Sequence, residues 1–185
     1  DCRGVDTPGV TRSTADELEE DVKLPPEDVR PYRASAARAN FMGLDRPDVQ
    51  YAAKEISRCM SKPCKGDIVA LKRLGRYLKQ HPRMIFKFKF QQMPSHIKVY
   101  CDSNYAGCLK TRKSTQGGVI MHGLHCIKTW SSTQAIIALS SAEAEYYGVV
   151  KAASQGIGIK SLCKDFNRDV SLEILTDASA ARSIA

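Results

Sequence analysis

Residues 140–148 read SSAEAEYYG, and this stretch decides the fold because it begins a helix that carries an unexpected acid. Ser140 with Glu143 three positions later forms a capping box. In this motif the serine hydroxyl accepts the Glu143 amide, and the Glu143 carboxylate reaches back to the Ser140 amide. Glu145 shares a face with Gly148, where a small residue lets a carboxylate lie close to a neighbouring sheet. A packed helix face has no structural need for a glutamate, so Glu145 is expected to have partners elsewhere in the chain.

Two other carboxylates follow predicted strands. Asp102 comes directly after the run 96–101, and Asp177 directly after the run 172–176. Strand ends and a helix start can meet at one edge of a sheet, so these two aspartates and Glu145 are expected to converge there. Three carboxylates at one point repel each other unless cations neutralise them, which indicates divalent metal. Taken singly, each aspartate is explained by a plain strand-end or N-cap role, but their order along the chain favours a site.

Five short motifs follow one another along the second half of the chain. They are DSNYAG at 102–107, RKSTQG at 112–117, WSSTQ at 130–134, SSAEAEY at 140–146 and TDASA at 176–180. In this order and spacing they resemble the ribonuclease H domain of copia-type LTR-retrotransposon Pol polyproteins, over roughly residues 95–185. Upstream, YR at 32–33, RPDV at 46–49 and RYLK at 76–79 resemble the segment that joins reverse transcriptase to ribonuclease H in the same polyproteins.

The resemblance implies an α/β protein with a ribonuclease H-like mixed sheet and flanking helices, preceded by a small, mainly helical connection segment. It implies that Asp102, Glu145 and Asp177 are catalytic and hold two Mg²⁺ ions, with Mn²⁺ as a substitute. Their activity would be hydrolysis of the RNA strand of RNA/DNA hybrids during reverse transcription. Glu145 is preferred to Glu143, which already has a capping role. The family fold continues with a fifth strand, a last helix and a fourth acidic residue. These are expected beyond Ala185, and the chain without them is expected to cleave hybrids poorly.

The implied partners are an RNA/DNA hybrid and the reverse transcriptase part of the same polyprotein, with no membrane involved. The implied location is the cytoplasm, in virus-like particles, or the nucleus. Candidate nucleic-acid-binding residues are Lys110, Arg112, Lys113, Ser114, Thr133 and Gln134. The net charge is +8, which divides into −5 for residues 1–30 and +13 for residues 31–185. Such a basic body suits a polyanion, although a solubilising surface explains the same charge.

Three parts of the chain are expected from these patterns. Residues 1–30 form an acidic irregular tail with one helical turn near 15–20, residues 31–94 a helical connection segment, and residues 95–185 an incomplete ribonuclease H-like domain. The connection segment begins with a helix over residues 31–44. Asp45-Arg46-Pro47 then supplies an N-cap, with proline early in a second helix that runs to about Met60.

A third helix follows Pro63, with Leu74 among its inward residues. Its basic residues either track a nucleic-acid backbone or form the solvated face; they are Lys72, Arg73, Arg76 and Lys79. Residues 84–90 alternate apolar and lysine side chains, which predicts a half-buried strand with Phe86, Phe88 and Phe90 inward.

The second part is expected to contain a hairpin of strands near 117–121 and 125–130, with Trp130 in the core. The helix after it is predicted over residues 141–166. Its packed face is expected to comprise Tyr146, Val149, Val150, Ala153 and Ile157. Gly156 and Gly158 would weaken this helix and mark a bend, and a further helix is expected after residue 178.

The seven cysteines form no C-x-x-C pair, which predicts reduced thiols in an intracellular protein. No apolar run approaches the length of a membrane span, and there is no signal-peptide pattern. Two other function classes stay open. The chain is either a relic that is inactive or only binds nucleic acid, or, for its first part, a spacer that positions a polymerase. Neither a polymerase nor an integrase signature is present in these residues.

Overall fold

The computed structural model of the protein describes residues 3–10 and 22–177. The chain forms two compact units, of which the first extends to Phe86 and the second begins at Lys87. In chain order the elements are α1 (Pro26–Met42), α2 (Pro47–Arg58), α3 (Lys65–Gln80), β1 (His96–Asn104), β2 (Thr115–His122), β3 (His125–Thr133), α4 (Ser141–Asp165) and β4 (Ser171–Leu175). The predicted turn near 15–20 and the predicted helix after 178 lie outside the described residues. None of the described helices is long and apolar enough to cross a membrane.

Helices α1, α2 and α3 pack around one apolar core in the first unit. Its buried members include Tyr32 of α1, Val49 and Ile56 of α2, and Leu74 of α3. The Tyr32 hydroxyl donates to the Ile56 carbonyl at 2.7 Å, so this buried polar group is satisfied. The predicted inward position of Leu74 in the third helix is therefore confirmed.

The first helix starts earlier than the sequence predicts. It begins at Pro26, so the last residues of the predicted irregular tail are helical. Proline suits the first position of a helix because the amide it lacks would have no partner there. Further upstream, Val5 packs against the same core, and Arg76 Nε donates to the Arg3 carbonyl at 2.6 Å. The described part of residues 1–30 is thus attached to the helices.

The start of α2 confirms the predicted proline but not the predicted cap. Pro47 is the first helical residue, and the N-cap is Arg46, which makes no capping side-chain bond. Instead, the Arg46 guanidinium donates to both carboxylate oxygens of Asp48, at 2.9 and 2.7 Å. The Tyr77 hydroxyl of α3 donates to the same carboxylate at 2.9 Å. The hydrogen bond from Arg46, followed by that from Tyr77, lowers the pKa of Asp48 despite partial burial.

The prediction of a strand over residues 84–90 was wrong. In the part of the chain that the structure describes, residues 81–94 belong to no strand or helix. Phe88 and Phe90 are 64% and 98% exposed rather than inward. The Phe88 ring contacts the His125 ring edge-on, with centroids 5.2 Å apart. Alternation predicts which side chains share a face, but a strand also needs a hydrogen-bonded partner, and none of the described strands pairs with this segment.

The second unit is built on a four-stranded mixed sheet in the order β3-β2-β1-β4. The pairs β1–β2 and β2–β3 are antiparallel, whereas β4 pairs with β1 in parallel after the α4 crossover. Ile97, Val99, Ile120 and Ala152 form the buried core between sheet and helix. Trp130 packs against this core, as predicted. The protein is α/β, with the ribonuclease H-like sheet arrangement and flanking helices that the motifs implied.

The face that α4 presents to the sheet differs from the predicted one. Its buried residues are Ala144, Gly148, Ala152 and Gly156, while Val150 and Ile157 are 49% and 56% exposed. A Cβ at Gly156 would lie 2.6 Å from Leu172 Cδ1 and 3.1 Å from Val99 Cγ2. Small residues thus let the helix lie close to β1 and β4. Val149 packs against this core as predicted, whereas Val150 and Ile157 are exposed. Gly156 serves close approach, and the bend expected at Gly156 and Gly158 stays a prediction.

Candidate metal centre at the edge of the sheet

Asp102 and Asp177 are placed by two neighbouring strands. Strand β1 extends beyond the predicted end to Asn104, so Asp102 lies inside it, opposite Gly117 of β2. Strand β4 ends at Leu175, and Asp177 follows two residues later. Both aspartates are exposed. Because β1 and β4 run in parallel, their acidic residues reach the same edge of the sheet.

Glu143 occupies the capping role that the sequence predicts. The Ser140 hydroxyl accepts from the Glu143 amide at 3.1 Å. The Glu143 carboxylate accepts from the Leu139 amide at 2.7 Å, one residue before the predicted partner, and from the Tyr147 hydroxyl at 2.9 Å. These hydrogen bonds hold Glu143 at the helix start. Glu145 is therefore the glutamate that can lie beside the sheet.

Glu145 is carried to the sheet by the close approach of α4 to β1. A Cβ at Gly148 would lie 3.8 Å from Ser103 Cβ and 4.0 Å from the Asp102 carbonyl oxygen, which is ordinary contact distance. The turn that bears Glu145 therefore lies directly against the end of β1. Glu145 itself is half-buried.

The three acids meet. One carboxylate oxygen from each of Asp102, Glu145 and Asp177 lies within 4.8 Å of the other two. Burial raises the pKa of Glu145, and the charges of the two aspartates add to this rise, while the nearby Ser103 hydroxyl and amide oppose it. Burial raises the pKa of the Cys101 thiol to about 11, with further contributions from the same three carboxylates.

This cluster fits a hard divalent cation. Carboxylate oxygens are the ligands that Mg²⁺ and Mn²⁺ prefer, and a cation would offset the repulsion that raises the pKa of Glu145. Two of the three acids are exposed, so an ion could reach them from solvent. The three residues could therefore hold a divalent ion.

The residues predicted to bind nucleic acid fall into two groups. Lys110 and Arg112 are exposed on the loop between β1 and β2. Lys113 is half-buried, and its ammonium donates to the Ala135 carbonyl at 2.6 Å. Thr133, at the end of β3, is half-buried with its hydroxyl inside the protein. Of these candidates, Lys110 and Arg112 are the exposed ones.

Ser114 and Gln134 need a correction, because their side chains are inaccessible to nucleic acid. They are 0% and 3% exposed. The Ser114 hydroxyl accepts from the Ala106 amide at 3.0 Å, and Gln134 Nε2 donates to the Ala144 carbonyl at 2.8 Å. Because serine and glutamine are polar, the sequence predicts surface positions for both, and no local signal reveals that they are buried.

The chain is similar to curated retrotransposon proteins. It is 34% identical over 132 residues to the retrovirus-related Pol polyprotein from transposon RE1 of Arabidopsis thaliana, a match covering 71% of this chain and 9% of that protein. It is 33% identical over 155 residues to the corresponding polyprotein from transposon RE2 of the same plant, covering 83% of this chain and 10% of that protein. The chain thus spans about a tenth of the length of these polyproteins.

A third relative is named differently. The secreted RxLR effector protein 161 of Plasmopara viticola is 30% identical over 128 residues, covering 69% of this chain and 89% of that protein. No family model matches the chain, and no solved structure matches it. The similarity to these Pol polyproteins covers most of the chain. The chain belongs to the copia-type retrotransposon Pol polyproteins.

Proposed function

We propose that the second unit is a ribonuclease H, which hydrolyses the RNA strand of RNA/DNA hybrids. The observation that carries this proposal is the convergence of Asp102, Glu145 and Asp177 within 4.8 Å at one sheet edge. Membership of the Pol polyproteins supports it, because reverse transcription makes RNA/DNA hybrids whose RNA must be removed. The activity, its substrate and its metal are properties that we assign here to this part of the polyprotein.

The three acids would hold divalent cations, with Mg²⁺ as the first choice and Mn²⁺ as a substitute. When bound, the cations would supply an activated water and neutralise charge on the leaving oxygen. Asp102 and Asp177 stand on the exposed side of the cluster and would leave room for the scissile phosphate. Glu145, half-buried and carried by α4, would be the third ligand.

The hybrid would be held by charge and recognised by shape. Lys110 and Arg112 are exposed on the loop that follows β1, the strand that carries Asp102. Phosphate contacts from such residues supply affinity without sequence preference. The 2′-hydroxyl groups of the RNA strand are the feature that distinguishes it from DNA. Cleavage is therefore expected to depend on the sugar and not on the base sequence.

A labelled RNA/DNA hybrid tests the proposal. Cleavage with Mg²⁺ should fall at least about 100-fold in Asp102→Asn, Glu145→Gln and Asp177→Asn, since each substitution removes a charged ligand. Glu143→Gln is the matched control, because this neighbouring glutamate caps the helix, and it should keep most of the activity. EDTA should abolish cleavage, and an RNA-free duplex should stay intact.

Three results would overturn the assignment. The first is a loss of cleavage in Glu143→Gln as large as that in Glu145→Gln, which would mean that Glu143 is also needed at the site. The second is cleavage that survives Asp102→Asn, which would point to a contaminating nuclease. The third is salt-sensitive hybrid binding by a folded protein with no cleavage, which would leave nucleic-acid binding as the function.

A further inference from the structure

Glu145 differs from the other two acids in how it is positioned. Asp102 lies in β1 and Asp177 follows β4 by two residues, and a parallel ladder aligns these two strands. Glu145 belongs to a helix, whose rotation and height above the sheet no ladder fixes. Its placement depends on packing of α4 and on hydrogen bonds to the first turn of that helix.

One such hydrogen bond comes from outside the helix. Gln134, in the segment between β3 and α4, donates from Nε2 to the carbonyl of Ala144 at 2.8 Å. Ala144 is the residue immediately before Glu145, and both it and Gln134 are buried. A bond to this carbonyl therefore acts on the same turn of backbone that carries the Glu145 side chain.

Gln134 is in turn attached to the end of β1. Its backbone amide donates to the Ser114 carbonyl at 2.8 Å. The Ser114 hydroxyl accepts from the amide of Ala106, in the turn that follows β1, at 3.0 Å. A continuous buried path of three hydrogen bonds thus joins the exit of the Asp102 strand to the backbone beside Glu145.

The path is unusual because Gln134 has a buried side-chain oxygen that accepts no hydrogen bond within the described part of the chain. Its Nε2 lies 2.8 Å from the Ala144 carbonyl but 3.4 Å from Gln116 Oε1, so the shorter bond to Ala144 orients the amide. A buried polar atom without a partner lowers stability. A methionine of similar volume would avoid this cost, so packing alone gives no reason for glutamine here.

We propose that Gln134 is a positioning residue, whose side-chain amide, anchored through Ser114, fixes the first turn of α4 and so sets Glu145 relative to Asp102. This inference rests on the proposed function, because it treats the three acids as ligands of one metal centre. Gln134 itself touches neither the substrate nor the ion. It acts through the backbone that carries a ligand.

The experiment compares Gln134→Met with Gln116→Met. Gln116 lies in the same buried group of amides, but its hydrogen bonds go to Ser132 and Gln134 and not to α4. Calorimetric titration of the metal-free protein with Mn²⁺ measures affinity, hydrogen exchange measures the opening of residues 144–148, and thermal unfolding measures stability.

Gln134→Met should keep a melting temperature close to that of the unsubstituted protein. Its Mn²⁺ affinity should fall about tenfold or more, as for other residues that orient metal ligands, and exchange in residues 144–148 should rise. Gln116→Met should change neither affinity nor exchange in α4. A purely structural role would instead lower the melting temperature without a selective loss of affinity.

If Gln134→Met folds and its hydrogen exchange in residues 144–148 is unchanged, the inference is overturned, even if the variant binds Mn²⁺ tightly. Faster exchange with unchanged affinity would overturn it too, because Glu145 would then reach the ion without this hydrogen bond. The second variant is Gln134→Glu, which keeps the side-chain shape but loses the Nε2 hydrogen-bond donor. If neither Gln134→Met nor Gln134→Glu folds, Gln134 is a core residue only. If the unsubstituted protein binds no Mn²⁺, the proposed function fails, and the exchange comparison still decides the role of Gln134.

Discussion

Asp102 and Asp177 each lie two residues beyond Tyr100 and Leu175, the last described pair of the parallel ladder between β1 and β4. Continuing this register by two residues brings the aspartates side by side, so the two-residue spacing is as important as the acids themselves. Moving Asp102 by one position within β1 would turn its side chain to the other face of the sheet. The site therefore depends on register as well as on composition.

Close packing of α4 on the sheet should be sensitive to a single methyl group. Gly156→Ala would place a Cβ 2.6 Å from Leu172 Cδ1, and the resulting overpacking should destabilise the protein by about 1–3 kcal/mol. Gly158→Ala is the control on the same helix, since nothing lies within 4 Å of a Cβ there. It should stabilise the helix by up to about 1 kcal/mol. Urea unfolding measures the stability of both variants. Equal changes in Gly156→Ala and Gly158→Ala would mean that close packing at Gly156 is not the cause.

The N-cap of α4 should contribute measurably to stability. Ser140→Ala removes the acceptor of the Glu143 amide and should cost about 1 kcal/mol. Ser141→Ala changes the neighbouring exposed serine inside the helix and should be nearly neutral. The measurement is denaturant unfolding followed by circular dichroism. If Ser141→Ala loses as much stability as Ser140→Ala, the hydrogen bond between the Ser140 hydroxyl and the Glu143 amide is not the cause of the loss.

The ion pair at the start of α2 should make the first unit sensitive to acid. The folded state lowers the pKa of Asp48, chiefly through Arg46. A carboxylate with a lowered pKa contributes stability above its unfolded pKa, and this is lost as the pH falls through the folded pKa. Asp48→Asn should therefore cost about 1–2 kcal/mol at pH 7 and much less near pH 2. Asp45→Asn, at an exposed position, is the control, and the free energy of unfolding is measured for both variants at the same two pH values. A loss of stability in Asp48→Asn that does not change with pH would contradict the prediction.

Binding of an RNA/DNA hybrid should weaken steeply as salt rises. Condensed counterions are released when basic residues contact phosphates, with a slope of about 0.7–0.9 per contact in a logarithmic plot. Lys110→Ala with Arg112→Ala should reduce this slope, whereas Lys128→Ala with Lys160→Ala, exposed on β3 and α4, should leave it unchanged. Fluorescence anisotropy at several salt concentrations measures the slopes. A flat response in the unsubstituted protein would mean that its positive charge serves solubility.

Local patterns predicted the parts of this protein that local physics controls. The choice between Glu143 and Glu145 followed from spacing to Ser140, because a capping box is a four-residue feature. The meeting of Asp102 with Asp177 followed from strands that end in acids. Their convergence with Glu145 is as the sequence predicts, and their roles in catalysis stay predictions.

The remaining errors have non-local causes. Val150 and Ile157 were assigned to the packed face of α4 by their hydrophobicity, but the distance between helix and sheet selects small residues. Gln134 was assigned to the surface by its polarity, but its burial depends on a bond to Ala144 that sequence does not show. In each case the deciding partner lies on another element.

The extended segment at residues 81–94 makes the chain a natural substrate for a protease. Proteases bind exposed backbone outside regular structure, and this segment is exposed over most of its length. Arg83, Lys87 and Lys89 supply three trypsin sites in it, next to the boundary between the compact units. A brief digestion should cut there before it cuts within a described helix or strand. Such a cut would divide the chain into one fragment with the three helices and one fragment with the sheet, and the stability and nucleic-acid binding of each fragment could then be measured.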